Sequence, residues 1–214
     1  MKKQDLTYKH LLYYIATLEP FRRPTFDTKL RITELLFNTQ QYDLAISDIK
    51  RYLEISKSIK ISVKKKLSMK ETTEIGETRG AYIQIPHNLF KRPEAINHNY
   101  NIFINPVVFK NFDLFVMVIV HELCHLKLFI EETSCKIPKR GEVYFYNDEK
   151  AVDTLAILSG FGNSYARIAP SLGFSNPDYI TRSEFYFLYE CFSKNRRFVI
   201  KTKLPWYKKI WKRL

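Results

Sequence analysis

The chain has 214 residues, 45% of them hydrophobic and 15% aromatic, which fits a single globular domain with a sizeable core and excludes a low-complexity or fibrous chain. No apolar run approaches the roughly 20 residues of a membrane span, and the three cysteines form no Cys-x-x-Cys pair, which predicts a reducing, cytoplasmic setting. The net charge of +13 is concentrated toward the C-terminal end, because no acidic residue follows Glu190.

In chain order, residues 6–18 read as a first helix that ends before Pro20. Its apolar stretch at 11–16 is short, tyrosine-rich and without a small-residue cleavage site, unlike a signal peptide. After a loop at 21–26, Asp27 or Thr28 can cap a helix through Leu30, Ile32, Leu35 and Leu36. Residues 42–53 repeat the pattern with Ala45, Ile49, Tyr52 and Leu53. This helical part, 1–56, is expected to layer over a sheet and carries no evident chemistry.

At Ile59 the period changes to two. Ile59, Ile61 and Val63 alternate with Lys60, Ser62 and Lys64, as in a half-buried strand. Residues 71–80 are polar and turn-like, 81–85 alternate again until Pro86, and 99–105 read as a third strand stopped by Pro106. The lysine run from Lys64 to Lys70 reads as a guarded strand edge. His87 and His98 fall in loops beside these strands and are read as surface residues.

The next segment carries the chemistry. A wholly apolar run at 114–120, with Asn111 and Asp113 before it as capping candidates, leads into His121-Glu122-Leu123-Cys124-His125. On a helix, residues four apart share a face, so His121 and His125 can offer imidazole nitrogens to one metal ion, with Glu122 beside them. Two histidines leave Zn²⁺ short of ligands; a catalytic zinc takes a third from the protein and keeps the last position for water. Glu122 can then act as the general base. Cys124 points round the helix from the pair and is read as core packing.

Glu149 supplies the third ligand. It opens a second amphipathic helix, with apolar Ala151, Val152, Leu155, Ala156 and Leu158 and a cap at Asn147 or Asp148. Asp153 shares its face and can hold a histidine ring, because ligating imidazoles give their other N–H to a carboxylate or carbonyl. Asp148 and Glu142 are competing third ligands, whereas Glu131 and Glu132 follow His125 too closely to turn back to the metal. In the polar loop between the two helices, Tyr144 and Tyr146 are candidate donors to a developing oxyanion, as are Tyr165 and Tyr179 further on. Beyond Pro177, Asp178 or Thr181 can cap a last helix through Phe185, Leu188, Tyr189 and Phe192. The tail at 201–214 mixes lysine and arginine with Trp206, Tyr207, Ile210, Trp211 and Leu214. Such a segment suits contact with nucleic acid or an anionic membrane.

The set His121, Glu122, His125, Glu149 and Asp153 resembles the gluzincin metallopeptidases, in which His-Glu-x-x-His is followed on a later helix by Glu-x-x-x-Asp. The gap of 24 positions from 125 to 149 is similar to that of small single-domain members such as SprT-like and ImmA/IrrE-like proteins. The resemblance implies zinc bound by His121, His125 and Glu149, Glu122 as general base, Asp153 behind a ligand, and a peptide substrate laid along an edge strand, 99–104 or 81–85. It also implies an α+β, zincin-like fold: a small, mostly antiparallel sheet on an active-site helix and a second ligand-bearing helix. One domain would span 1–200, with the sheet and metal helices in 57–200. A non-catalytic zinc protein that binds partners through its tail is the alternative.

Overall fold

A computed structural model describes residues 8–23, 28–64, 80–134, 136–137, 144–172 and 180–193. The fold is α+β. Three helices, α1 (Lys9–Leu18), α2 (Arg31–Asn38) and α3 (Tyr42–Tyr52), precede the strands β1 (Lys60–Lys64), β2 (Ala81–Gln84) and β3 (Asn99–Ile104). Then come α4 (Phe112–Thr133), α5 (Glu149–Ala156), α6 (Gly162–Leu172) and α7 (Arg182–Ser193). A π-type turn at Ile157–Phe161 joins α5 to α6 through Gly160 at φ 94°. Only glycine takes that backbone conformation at little steric cost.

The strand order is β1-β3-β2, with β1 parallel and β2 antiparallel to β3. The sheet is therefore mixed and not mostly antiparallel as the sequence suggested. The chain runs up, down and up, and the third strand inserts between the first two, so β1 and β3 point the same way. Side-chain alternation is identical in both kinds of pairing and carries no record of this. The insertion also makes β3 a central strand, so of the two candidate edge strands only 81–84 lies at an edge of the sheet among the described residues.

The alternation itself is as expected. In β3, Tyr100, Ile102 and Ile104 are buried while Asn99, Asn101 and Phe103 are not. The buried side meets α4, where the Tyr100 ring stands edge-on to Phe129 at 6.4 Å. Helix α4 crosses the core, with Phe115, Val116, Ile119, Val120, Leu123 and Leu126 all at 0% exposure. Each such side chain contributes about 1.5–3 kcal/mol by leaving water. That anchoring makes α4 a rigid platform for polar groups.

The caps follow the sequence in part. Asn111 accepts the N–H of Leu114 at 2.9 Å to start α4, and Asp148 accepts that of Ala151 at 3.2 Å to start α5. Thr181 accepts the N–H of Glu184 at 3.3 Å to start α7. Thr28 does not cap α2: the helix begins later, at Arg31, and the Thr28 N–H donates to the carbonyl of Gly160 at 2.8 Å. Asp27, Glu142, Asp178, Tyr179 and the tail at 201–214 lie outside the described residues.

Candidate metal centre

His121 and His125 stand one turn apart on α4, and Glu149 reaches them from the first turn of α5. The Nε2 atoms of the two histidines are 3.1 Å apart, and Oε2 of Glu149 lies 2.9 Å from the first and 3.3 Å from the second. A tetrahedral zinc with bonds of about 2.0–2.1 Å spaces its ligands about 3.3 Å apart. The three atoms thus form a triangle close to one face of that tetrahedron, and an ion seated on it keeps a fourth position. Among the described residues this is the one group of three or more ligand-type side chains close enough to share an ion.

Both imidazoles are held from behind. Nδ1 of His121 pairs with Oδ1 of Asp153 at 2.9 Å, and Nδ1 of His125 with the carbonyl of Tyr146 at 2.7 Å. With Nδ1–H donating outward in each ring, the two Nε2 atoms face the triangle, where a bound metal would take the place of any proton they carry. Asp153 is itself fixed by the hydroxyl of the buried Tyr165 at 3.0 Å on Oδ1 and the N–H of Ile180 at 3.2 Å on Oδ2.

The electrostatics follow from burying three charges together. Burial opposes the charged form of His121, but its hydrogen bonds to Asp153 and Glu149 and the field of the nearby carboxylates outweigh that and hold its pKa well above the usual value. Burial alone would raise Glu149, yet the hydrogen bonds and charges of the two histidines keep its carboxyl well below the ordinary range. A carboxylate ionised at any neutral pH is what a cation site requires.

Glu122 is 8% exposed and lies off the triangle; its Oε2 accepts the N–H of Ile83 at 2.8 Å. Burial raises its pKa, while the charges of His125 and His121 and the Ile83 bond pull it back. A carboxylate so raised is a better proton acceptor. Ile83 sits on β2, so Glu122 stands against that strand on the side away from β3.

The remaining sequence candidates fall elsewhere. Asp148 caps α5 and accepts the hydroxyl of Tyr14 at 2.5 Å, so it serves the ligand helix and not the triangle. The rings of Tyr144 and Tyr146 stand 5.7 Å apart in an aromatic group with Phe90, and Tyr146 also meets Phe129. Cys124 is fully buried, which raises its thiol far above the ordinary range and keeps it protonated. His98 stands edge-on to Tyr100 at 5.1 Å.

Three supporting groups were not read in these roles from the sequence: the Tyr14 hydroxyl, the Tyr146 carbonyl and Glu132, set aside above as a metal ligand. The last accepts the N–H groups of Phe145 at 2.7 Å and Tyr146 at 3.1 Å. Its signal was present as an acidic residue seven positions after His125, on the same stripe of an otherwise apolar helix. No family model, characterised protein or solved structure matches the chain.

Proposed function

We propose that the chain is a zinc-dependent hydrolase of peptide bonds, zincin-like in its site. The observation that carries this is the triangle of His121, His125 and Glu149, together with a buried carboxylate that is not part of it. Zinc held there would supply a water of pKa about 7 and polarise a carbonyl. Glu122, next to His121 on α4, would take the proton of that water and pass it to the leaving amine. The position of β2 at the edge of the described sheet favours an extended peptide, since main-chain hydrogen bonding along an edge strand aligns a substrate without regard to its sequence, with Glu122 releasing the Ile83 N–H as the peptide docks. Three protein ligands among the described residues favour catalysis over a closed structural site, which takes four.

The test is metal content followed by turnover. Elemental analysis should give about one zinc per wild-type chain, with loss in both His125→Ala and Glu149→Ala. Glu122→Gln should keep the zinc and lose hydrolysis of a peptide library. Undiminished hydrolysis by that variant would sink the role given to Glu122, and a wild type that takes up no zinc would sink the metal centre.

A further inference from the structure

The stripe of α4 that presents the two histidines does not end with them. Four and seven residues beyond His125 it carries Phe129 and Glu132, both buried, and a single turn at Phe145–Asn147 lies along all three. The turn meets the helix at three heights. The Tyr146 carbonyl accepts Nδ1–H of His125 at 2.7 Å, and the Tyr146 ring stands edge-on to Phe129 at 5.1 Å. At the far end Oε1 and Oε2 of Glu132 take the N–H groups of Phe145 and Tyr146. Directly after the turn come Asp148, the cap of α5, and Glu149.

Glu132 is only 4% exposed. A carboxylate there is costly unless its lone pairs are used, and an ionised one, with no donor of its own, matches a pair of converging N–H groups. Burial raises its pKa and the two backbone bonds bring it part of the way back. A folded-state pKa above the unfolded one means that the charged form is the disfavoured one in the fold, so at neutral pH this group costs stability. What the group adds in return is geometric. The α-carbon of Tyr146 is the hinge between the gripped N–H and the carbonyl on His125, so holding one aims the other.

We propose that Glu132 is a positioning residue for the metal centre, gripping the Phe145–Asn147 turn so that the Tyr146 carbonyl stays on His125 and Glu149 starts from a fixed point. The inference rests on the metal reading above. Each imidazole then has a carboxylate behind it: Asp153 directly for His121, and Glu132 through one residue of backbone for His125.

The experiment compares wild type with Glu132→Gln, which keeps the volume but replaces one acceptor by a donor. Zinc affinity is measured by competition with a chromophoric chelator. Nδ1–H of each histidine is observed by NMR in the ¹⁵N-labelled, zinc-loaded protein. Affinity should fall about 10- to 100-fold, the usual effect of losing an outer partner of a ligand. The Nδ1–H signal of His125 should move while that of His121 stays. Affinity within twofold of wild type, or equal movement of both signals, overturns the proposal, because the second outcome means general loosening. If Glu132→Gln does not fold, amide exchange in the wild type decides: the Phe145 and Tyr146 amides should be strongly protected, and fast exchange overturns the proposal. A wild type without zinc sinks the metal reading. A wild type with zinc beside an unaffected variant sinks only the role of Glu132.

Discussion

Asp153→Asn tests how much of the metal affinity resides behind the ligands. The carboxylate accepts three bonds, from His121 at 2.9 Å, Tyr165 at 3.0 Å and Ile180 at 3.2 Å. An asparagine has two ways to sit. With its oxygen toward His121 and Tyr165, its amide N–H group faces the N–H of Ile180, and a buried donor left without a partner costs about 1–3 kcal/mol. Turned over, it satisfies Ile180 but faces His121 with a donor. The imidazole proton is then forced onto Nε2, the atom that must bind the metal. Both arrangements oppose zinc, and the expected loss is about 10- to 100-fold in affinity. At saturating zinc this removes about 1.4–2.7 kcal/mol of metal-linked stabilisation, seen as about 3–10 °C less zinc-induced rise in Tm for a chain of this size. Chelator competition and paired melts, with and without zinc, measure both quantities. Unchanged affinity in a variant whose metal-free melt matches wild type refutes the reasoning, since orientation of His121 would then owe nothing to the carboxylate.

Two further outcomes are expected. Glu184 joins α7 to Lys150 at 2.9 Å and His10 at 2.6 Å. Burial alone would raise its pKa, but the Thr181 N–H, Lys150, the Thr181 hydroxyl and His10 outweigh that and lower it. A lowered folded pKa contributes stability above the unfolded value of about 4.3 and loses it as pH falls through the folded value. Glu184→Gln should therefore cost about 1.5–3 kcal/mol at pH 7, and denaturant titrations should show the gap closing as the medium is made more acid than pH 4; a gap constant with pH contradicts the assignment. Gly80→Ala would place a Cβ 2.8 Å from Cγ2 of Val118 and 3.0 Å from Cγ2 of Val108. Neither β-branched side chain turns away freely, so the overpacking should cost about 1–3 kcal/mol. It should also push β2 off α4, lengthening the Ile83 to Glu122 bond; a wild-type melting temperature would show that the strand gives way without cost.

Much of the site was legible in the sequence because its groups sit at fixed helical intervals. His121 and His125 are spaced by one turn of α4, Glu149 and Asp153 by one turn of α5, and Asn111 and Asp148 cap those helices as their residue types imply. What escaped the sequence were contacts made by backbone. The Tyr146 carbonyl on His125 and the Ile83 N–H on Glu122 have no side-chain signature, since any residue offers the same groups. Glu132 was set aside because it could not turn back to the metal, and it does not; it faces the other way along the stripe, toward a turn whose path no local pattern records. The parallel pairing of β1 with β3 was hidden for the same kind of reason, because it depends on where the third strand inserts and not on any strand's own residues.

The bracing of α5 by α1 has a consequence for when the molecule can assemble. Tyr14 finds Asp148 across 134 positions of sequence, and His10 finds Glu184 across 174. At about 5–20 residues per second of synthesis, the first helix is made about 10–35 s before its last partner exists. A ten-residue helix is marginal alone in water, so Leu11, Tyr14, Ile15 and Leu18 lack the cover of α5 until that helix has been made. The metal triangle, braced by the same helix, is thus not locked in place before α5 has been made. A nascent chain that stalls before α7 lacks the contact of His10 with Glu184.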